Sequence, residues 1–265
     1  MKVKITPNCM LACIFLVNIF FLANPLFAKA PERSFYQLTI YHIKDKMQEE
    51  RLDKYLSEAF IPAVHRQGIK TVGVFKTANI DTATVKRIYV FIPYRSLKQL
   101  HSLLQTLDKD PLLAEKGSDY VNAKFNEAPY LRKESIIMQA FSGMPTLKKP
   151  VFNVPNNQRI YELRSYESAT EKLYLNKVQM FNEDEIEIFE RIGSQPIFFG
   201  EVLAGSKMPN LMYMTAYSDK ASRDAHWKIF GNDPTWKRIV NLPKYKNNMT
   251  KADVYFLTPA TYSDL

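Results

Sequence analysis

The chain has 265 residues, 46% of them hydrophobic and 24% charged, with a formal net charge of +9. This is globular composition, and it argues against a disordered or fibrous chain. The eight glycines are scattered, which argues against glycine-rich nucleotide loops and collagen-like repeats.

The N-terminus reads as a secretory signal peptide, 1–28. Lys2 and Lys4 precede an apolar run from Cys9 to Ala23 that only Asn18 interrupts, and Asn24-Pro25 ends it. The run is too short to span a bilayer as a helix. Cleavage is expected after Ala28, which places the protein in the periplasm or outside the cell and leaves no stable membrane span in the mature chain. Cys9 and Cys13 both fall in this segment. The mature chain therefore has no disulfide, thiolate nucleophile or cysteine metal site. Losing Lys2 and Lys4 lowers the charge by two, and the remaining basic residues are dispersed, so no nucleic-acid surface is expected.

After the leader come two similar runs of elements. A strand at Tyr36–Tyr41 (YQLTIY) leads to a helix opened by Asp45 with Gln48 and closed by Gly68. Pro62 should kink or shorten its last turn. Strands follow at Lys70–Lys76 and Arg87–Tyr94, then a helix capped by Ser96 that ends at Asp110-Pro111, then a strand at Ser135–Phe141. Residues 143–158 carry Pro145, Pro150 and Pro155 and read as an extended connector.

The pattern then repeats. Tyr161–Tyr166 (YELRSY) matches the first strand, and a helix opened by Ser168 with Glu171 closes on Gly193. Strands at Pro196–Leu203 and Leu211–Tyr217 precede a helix capped by Ser218 that ends at Asp233-Pro234, and Asp253–Thr258 closes the half. Each half is thus β-α-β-β-α-β, the ferredoxin-like order. The expected class is α+β, with two such repeats, 34–142 and 159–258, packed as one intramolecular α/β barrel, a pseudo-dimer within the chain. Residues 259–265 form a tail, and a homodimer of the whole chain is a further option.

Several motifs of the second half resemble the NIPSNAP family: YELRSY at Tyr161–Tyr166, Met180-Phe181, EIEIF at Glu185–Phe189, PNLMY at Pro209–Tyr213, HWKIF at His226–Phe230 and DPTW at Asp233–Trp236. The first half resembles the same domain more loosely. The sequence departs from the family pattern at Asp184, where glycine is expected, in a segment one residue short. The resemblance implies a dimeric α/β-barrel architecture and brings no mechanism with it.

Comparing the halves singles out the candidate site. Counted back from the Asp-Pro pairs, Leu100, Leu103, Leu104 and Leu107 align with Arg223, His226, Trp227 and Phe230. An apolar helix face has become one bearing a guanidinium, an imidazole and an indole, which must be satisfied or line a cavity. Strand alternation places Glu162, Arg164 and Tyr166 on one face, against uncharged Gln37, Thr39 and Tyr41 in the first half. Glu162 and Arg164 can also simply pair with each other inside the barrel. Glu201 and Glu185 are further buried-carboxylate candidates.

The ligand-binding candidates are therefore Glu162, Arg164, Tyr166, Glu201, Arg223, His226 and Trp227, taking a small organic molecule between helices and sheet. There is no H-E-x-x-H, nucleophile elbow or dinucleotide glycine pattern, and the four histidines have no metal-ligand spacing. No metal and no cofactor is expected, haem on a helix histidine being the minor exception that the fold group allows. Asn248-Met-Thr250 fits a glycosylation sequon. The leading expectation is an exported NIPSNAP-type protein without established catalysis. The alternatives are a monooxygenase or isomerase using His226 with Arg164 or Glu201, and an interaction module that pairs through a sheet edge.

Overall fold

The computed structural model describes residues 32–81 and 85–265. The segment 1–28, read from the sequence as a signal peptide, lies outside them. The first half runs β1 (Phe35–His42), α1 (Lys46–Lys54), α2 (Ile61–Arg66), β2 (Gly73–Thr77), β3 (Arg87–Tyr94), α3 (Leu97–Leu107), α4 (Pro111–Lys116), α5 (Ser118–Val121) and β4 (Arg132–Ala140). The second runs β5 (Ile160–Glu167), α6 (Glu171–Met180), α7 (Ile186–Arg191), β6 (Gln195–Ala204), β7 (Asn210–Tyr217), α8 (Lys220–Asn232), α9 (Pro234–Ile239) and β8 (Lys251–Pro259).

The strands close into an antiparallel barrel in the order β1-β3-β2-β8-β5-β7-β6-β4. Each half supplies four neighbouring strands, and the seams are β2 with β8 and β4 with β6. Closure pairs each described strand on both sides, so no free sheet edge remains for an edge-pairing partner.

Alternation sorts the side chains. Tyr36, Leu38 and Ile40 of β1 enter the lumen with Phe91, Met138, Leu163, Phe198 and Met214, all buried. The opposite faces pack under the helices in two separate layers, one for each half. Glu162 and Arg164 fall on this outer side, so their ion pair lies beneath the helices and not inside the barrel.

The helix ends show which local signals won. Asp45 and Ser96 cap α1 and α3 through the amides of Gln48 (2.9 Å) and Gln99 (3.2 Å). In the second half the caps shift by one or two residues from those expected. Thr170, not Ser168, caps α6, because the Ser168 hydroxyl donates to the Asn248 carbonyl instead (2.7 Å). Asp219, not Ser218, caps α8 through the Ser222 amide (2.7 Å). Gly68 and Gly193 close their helices at φ of +83° and +77°, where a side chain would be strained.

Both long helices contain a π-helical turn, Tyr55–Phe60 and Phe181–Glu185. Pro62 therefore does not end the first helix. The widened turn precedes it and the helix continues to Arg66. The second π turn contains no proline and includes Asp184.

A second repeated device joins the helices. Arg66 makes a bidentate pair with Asp110 (2.7 and 3.1 Å), as Arg191 does with Asp233 (2.6 and 3.3 Å). Each aspartate also caps its short helix through backbone amides.

Candidate functional site

Five of the seven candidate residues converge where β5 meets α8. Glu162 is completely buried. Its carboxylate accepts from Arg164 Nε (2.5 Å), Arg223 Nε (2.6 Å), Arg223 Nη2 (3.0 Å) and Trp227 Nε1 (2.9 Å). Arg164 also donates to the Tyr166 hydroxyl (2.9 Å), which bonds the Tyr213 hydroxyl (2.8 Å), and its guanidinium lies 3.8 Å from the centre of the Trp227 ring.

Burial opposes charge on Glu162, but the Arg223 and Arg164 guanidiniums outweigh it and hold the carboxyl below its ordinary range. An ionised carboxylate with four donors is saturated. It is a poor base, and the cluster welds helix to sheet.

The other two candidates lie apart from it. Glu201 pairs with Arg33 and accepts from the Tyr174 hydroxyl (3.4 Å). His226 turns back on its own helix, with Nδ1 at 2.7 Å from the Ser222 carbonyl oxygen and its ring 5.7 Å from that of Tyr217. No hydrogen bond joins His226 to Arg164 or to Glu201. Glu185, deep in the π turn, pairs with the buried Lys177. Burial pushes the Glu185 carboxyl up against the pull of that ammonium.

The sequence reading missed the residues at one mouth of the barrel, where the lumen opens into a cavity of about 90 Å³. Its apolar wall is Ile40, Ile136, Val202 and Met212. Its rim is polar. His42 Nε2 lies 2.6 Å from Glu134 Oε1, and Ser206 donates to Glu134 Oε2 (3.4 Å). Lys207 pairs with Asp253 and donates to the Tyr255 hydroxyl (3.1 Å), while the Arg87 guanidinium sits 5.7 Å from the Tyr255 ring centre. None of the seven sequence candidates lines this cavity. The signal for it was the alternation itself: continuing Tyr36, Leu38, Ile40 gives His42, and continuing Met138, Ile136 gives Glu134.

Residues 161–264 match the NIPSNAP family model. That match covers the second half of the chain. The first half lies outside that match. No curated protein sequence matches the chain.

Among solved structures, a candidate monooxygenase from Lactobacillus acidophilus NCFM aligns at a TM-score of 0.58 and 12% identity, covering 86% of this chain and 94% of its own. One from Fusobacterium nucleatum aligns at 0.53 and 12%, covering 86% and 93%. An anthrone oxidase-like protein aligns at 0.55 and 7%, covering 87% and 93%. At these identities the likeness is one of fold, the α/β barrel, and it spans both halves.

Within the matched half, the motif residues are divided between weld and core. Trp227, Phe230 and Trp236 stack beneath the Asp-Pro turn, with ring centres 5.4 and 4.9 Å apart. The sequon residue Asn248 is 6% exposed and donates to Asn176 (3.0 Å), so its amide faces inward in the folded chain. Among the described residues, no helix is long and apolar enough to cross a membrane.

Proposed function

We propose that this is an exported NIPSNAP-type binding protein that takes one end of a small organic molecule into the mouth of its barrel. The supporting observation is the cavity itself, apolar at its floor and polar at its rim, at the end of an otherwise packed lumen. A cavity of roughly 150 Å³ holds benzene. The mouth, at about 90 Å³, takes something smaller, or the tip of a longer molecule. The helix–sheet layer is less suited to a ligand, because the Glu162 network already fills it with mutual partners. The monooxygenase or isomerase reading would need its own constellation, and His226, Arg164 and Glu201 make no hydrogen bond with one another.

The test is mass spectrometry of small molecules retained by protein purified from its own compartment, alongside Ser206→Trp. Ser206 is an exposed rim residue, so the indole fills the mouth without disturbing the core. Loss of the retained molecule is expected. Undiminished retention by Ser206→Trp would place the ligand elsewhere.

A further inference from the structure

The charges that face the mouth are unequal. Arg87 and Lys207 line it as cations, and Glu134 is the one carboxylate among its lining residues. Asp253, which pairs with Lys207, is not part of the lining, so it holds the ammonium from behind. Both Glu134 oxygens are already engaged, by His42 and by Ser206.

The donors are less fully used. Lys207 has three N–H groups and spends two, on Asp253 and the Tyr255 hydroxyl. Arg87 presents a fork of five. It rests over the Tyr255 ring and beside the Tyr89 hydroxyl, whose ionisation burial suppresses and the guanidinium favours. The rim therefore offers unspent N–H donors on two cationic side chains to whatever enters. The floor beneath, Ile40, Ile136, Val202 and Met212, offers none.

We propose that the mouth selects small monocarboxylates with a short or branched apolar body. The carboxylate docks between Arg87 and Lys207, and the body lies on the aliphatic floor between the Tyr89 and Tyr255 rings. Scaling from the cavity that encloses benzene, the enclosed part is about four carbons. This rests on the barrel mouth being the ligand site, and it adds the charge and size of what binds there.

The experiment uses the full chain and three isosteric probes, isobutyrate, isobutanol and isobutylamine, with binding read by ligand-observed NMR titration. Isobutyrate should bind at least about tenfold more tightly than isobutanol, the effect of roughly one charge-assisted hydrogen bond, and isobutylamine more weakly still. Arg87→Gln and, independently, the rim variant Lys207→Gln should each weaken isobutyrate while leaving isobutanol unchanged. Ser206→Trp should abolish binding of both. Equal binding of acid and alcohol, both blocked by Ser206→Trp, would overturn the carboxylate inference and leave the mouth as a site. Binding that Ser206→Trp does not disturb, or no binding by any probe, would overturn the mouth reading and this inference with it.

Discussion

Glu162→Gln tests whether the β5–α8 cluster is a weld. The carboxylate takes four N–H donors, two of its bonds at 2.5–2.6 Å. Glutamine keeps one oxygen, which accepts at most two of them, and turns an NH2 toward a guanidinium that can only donate. Two charge-assisted bonds are lost, each about 1.5–3 kcal/mol when buried. Arg164 and Arg223 retain 15% and 17% side-chain exposure, so water recovers part of the loss. The expected cost is about 3 kcal/mol, at the lower end for a broken buried pair. In a folded unit of this size that lowers the melting temperature by about 6–12 °C.

The assay is urea unfolding of the full chain followed by circular dichroism, with Arg223→Leu and the double variant completing a cycle. Arg223→Leu copies Leu100 of the first half. Coupling above about 1.5 kcal/mol is expected, since residues in one hydrogen-bond network are not additive. A cost below about 1 kcal/mol with an unchanged urea slope would refute the weld. Loss of a retained ligand without loss of stability would make the cluster a binding site instead.

Two buried glutamates should respond to pH in opposite directions. Glu162 has a lowered folded value, so its stabilisation is complete above its ordinary value of 4.5 and lost as pH falls through the lowered one. Glu185 has a raised folded value, so its contribution is complete below 4.5 and lost as pH rises through the raised one. Urea midpoints across pH should lose their acid-side fall in part in Glu162→Gln, and their alkaline-going decline in part in Glu185→Gln. His226→Leu should cost less than about 1 kcal/mol, because the Ser222 carbonyl it leaves is a helix-interior acceptor near water and the first half carries Leu103 at that place. A larger loss by denaturant melt would show a partner for the imidazole beyond its own helix. Residues 159–265 alone should be soluble only as a dimer, because the β2–β8 and β4–β6 seams would be open, and a stable monomer by light scattering would contradict this. N-terminal sequencing of protein from an extracytoplasmic fraction should begin near Lys29, and a full-length cytoplasmic chain would refute export.

What the sequence determined by itself is local and periodic. The repeated YQLTIY and YELRSY strands, the helices closing on Gly68 and Gly193 and the Asp-Pro pairs were enough to read two ferredoxin-like halves, because strand alternation, helix closure and capping depend on neighbouring residues. The charged residues Glu162, Arg164 and Arg223 and the indole of Trp227 also stood out against their first-half equivalents. Their meaning did not, since whether an arginine lines a pocket or satisfies a carboxylate depends on partners some sixty residues away. Ser168 against Thr170, and Ser218 against Asp219, were settled by which hydroxyl or carboxylate found its amide once the chain had packed. The pairs of Arg66 with Asp110 and Arg191 with Asp233 are invisible to periodicity for the same reason. The mouth is the clearest case. Arg87, Glu134 and Lys207 come from two strands and a loop, and only closure of the barrel carries them from scattered surface charges to one polar rim over an apolar floor.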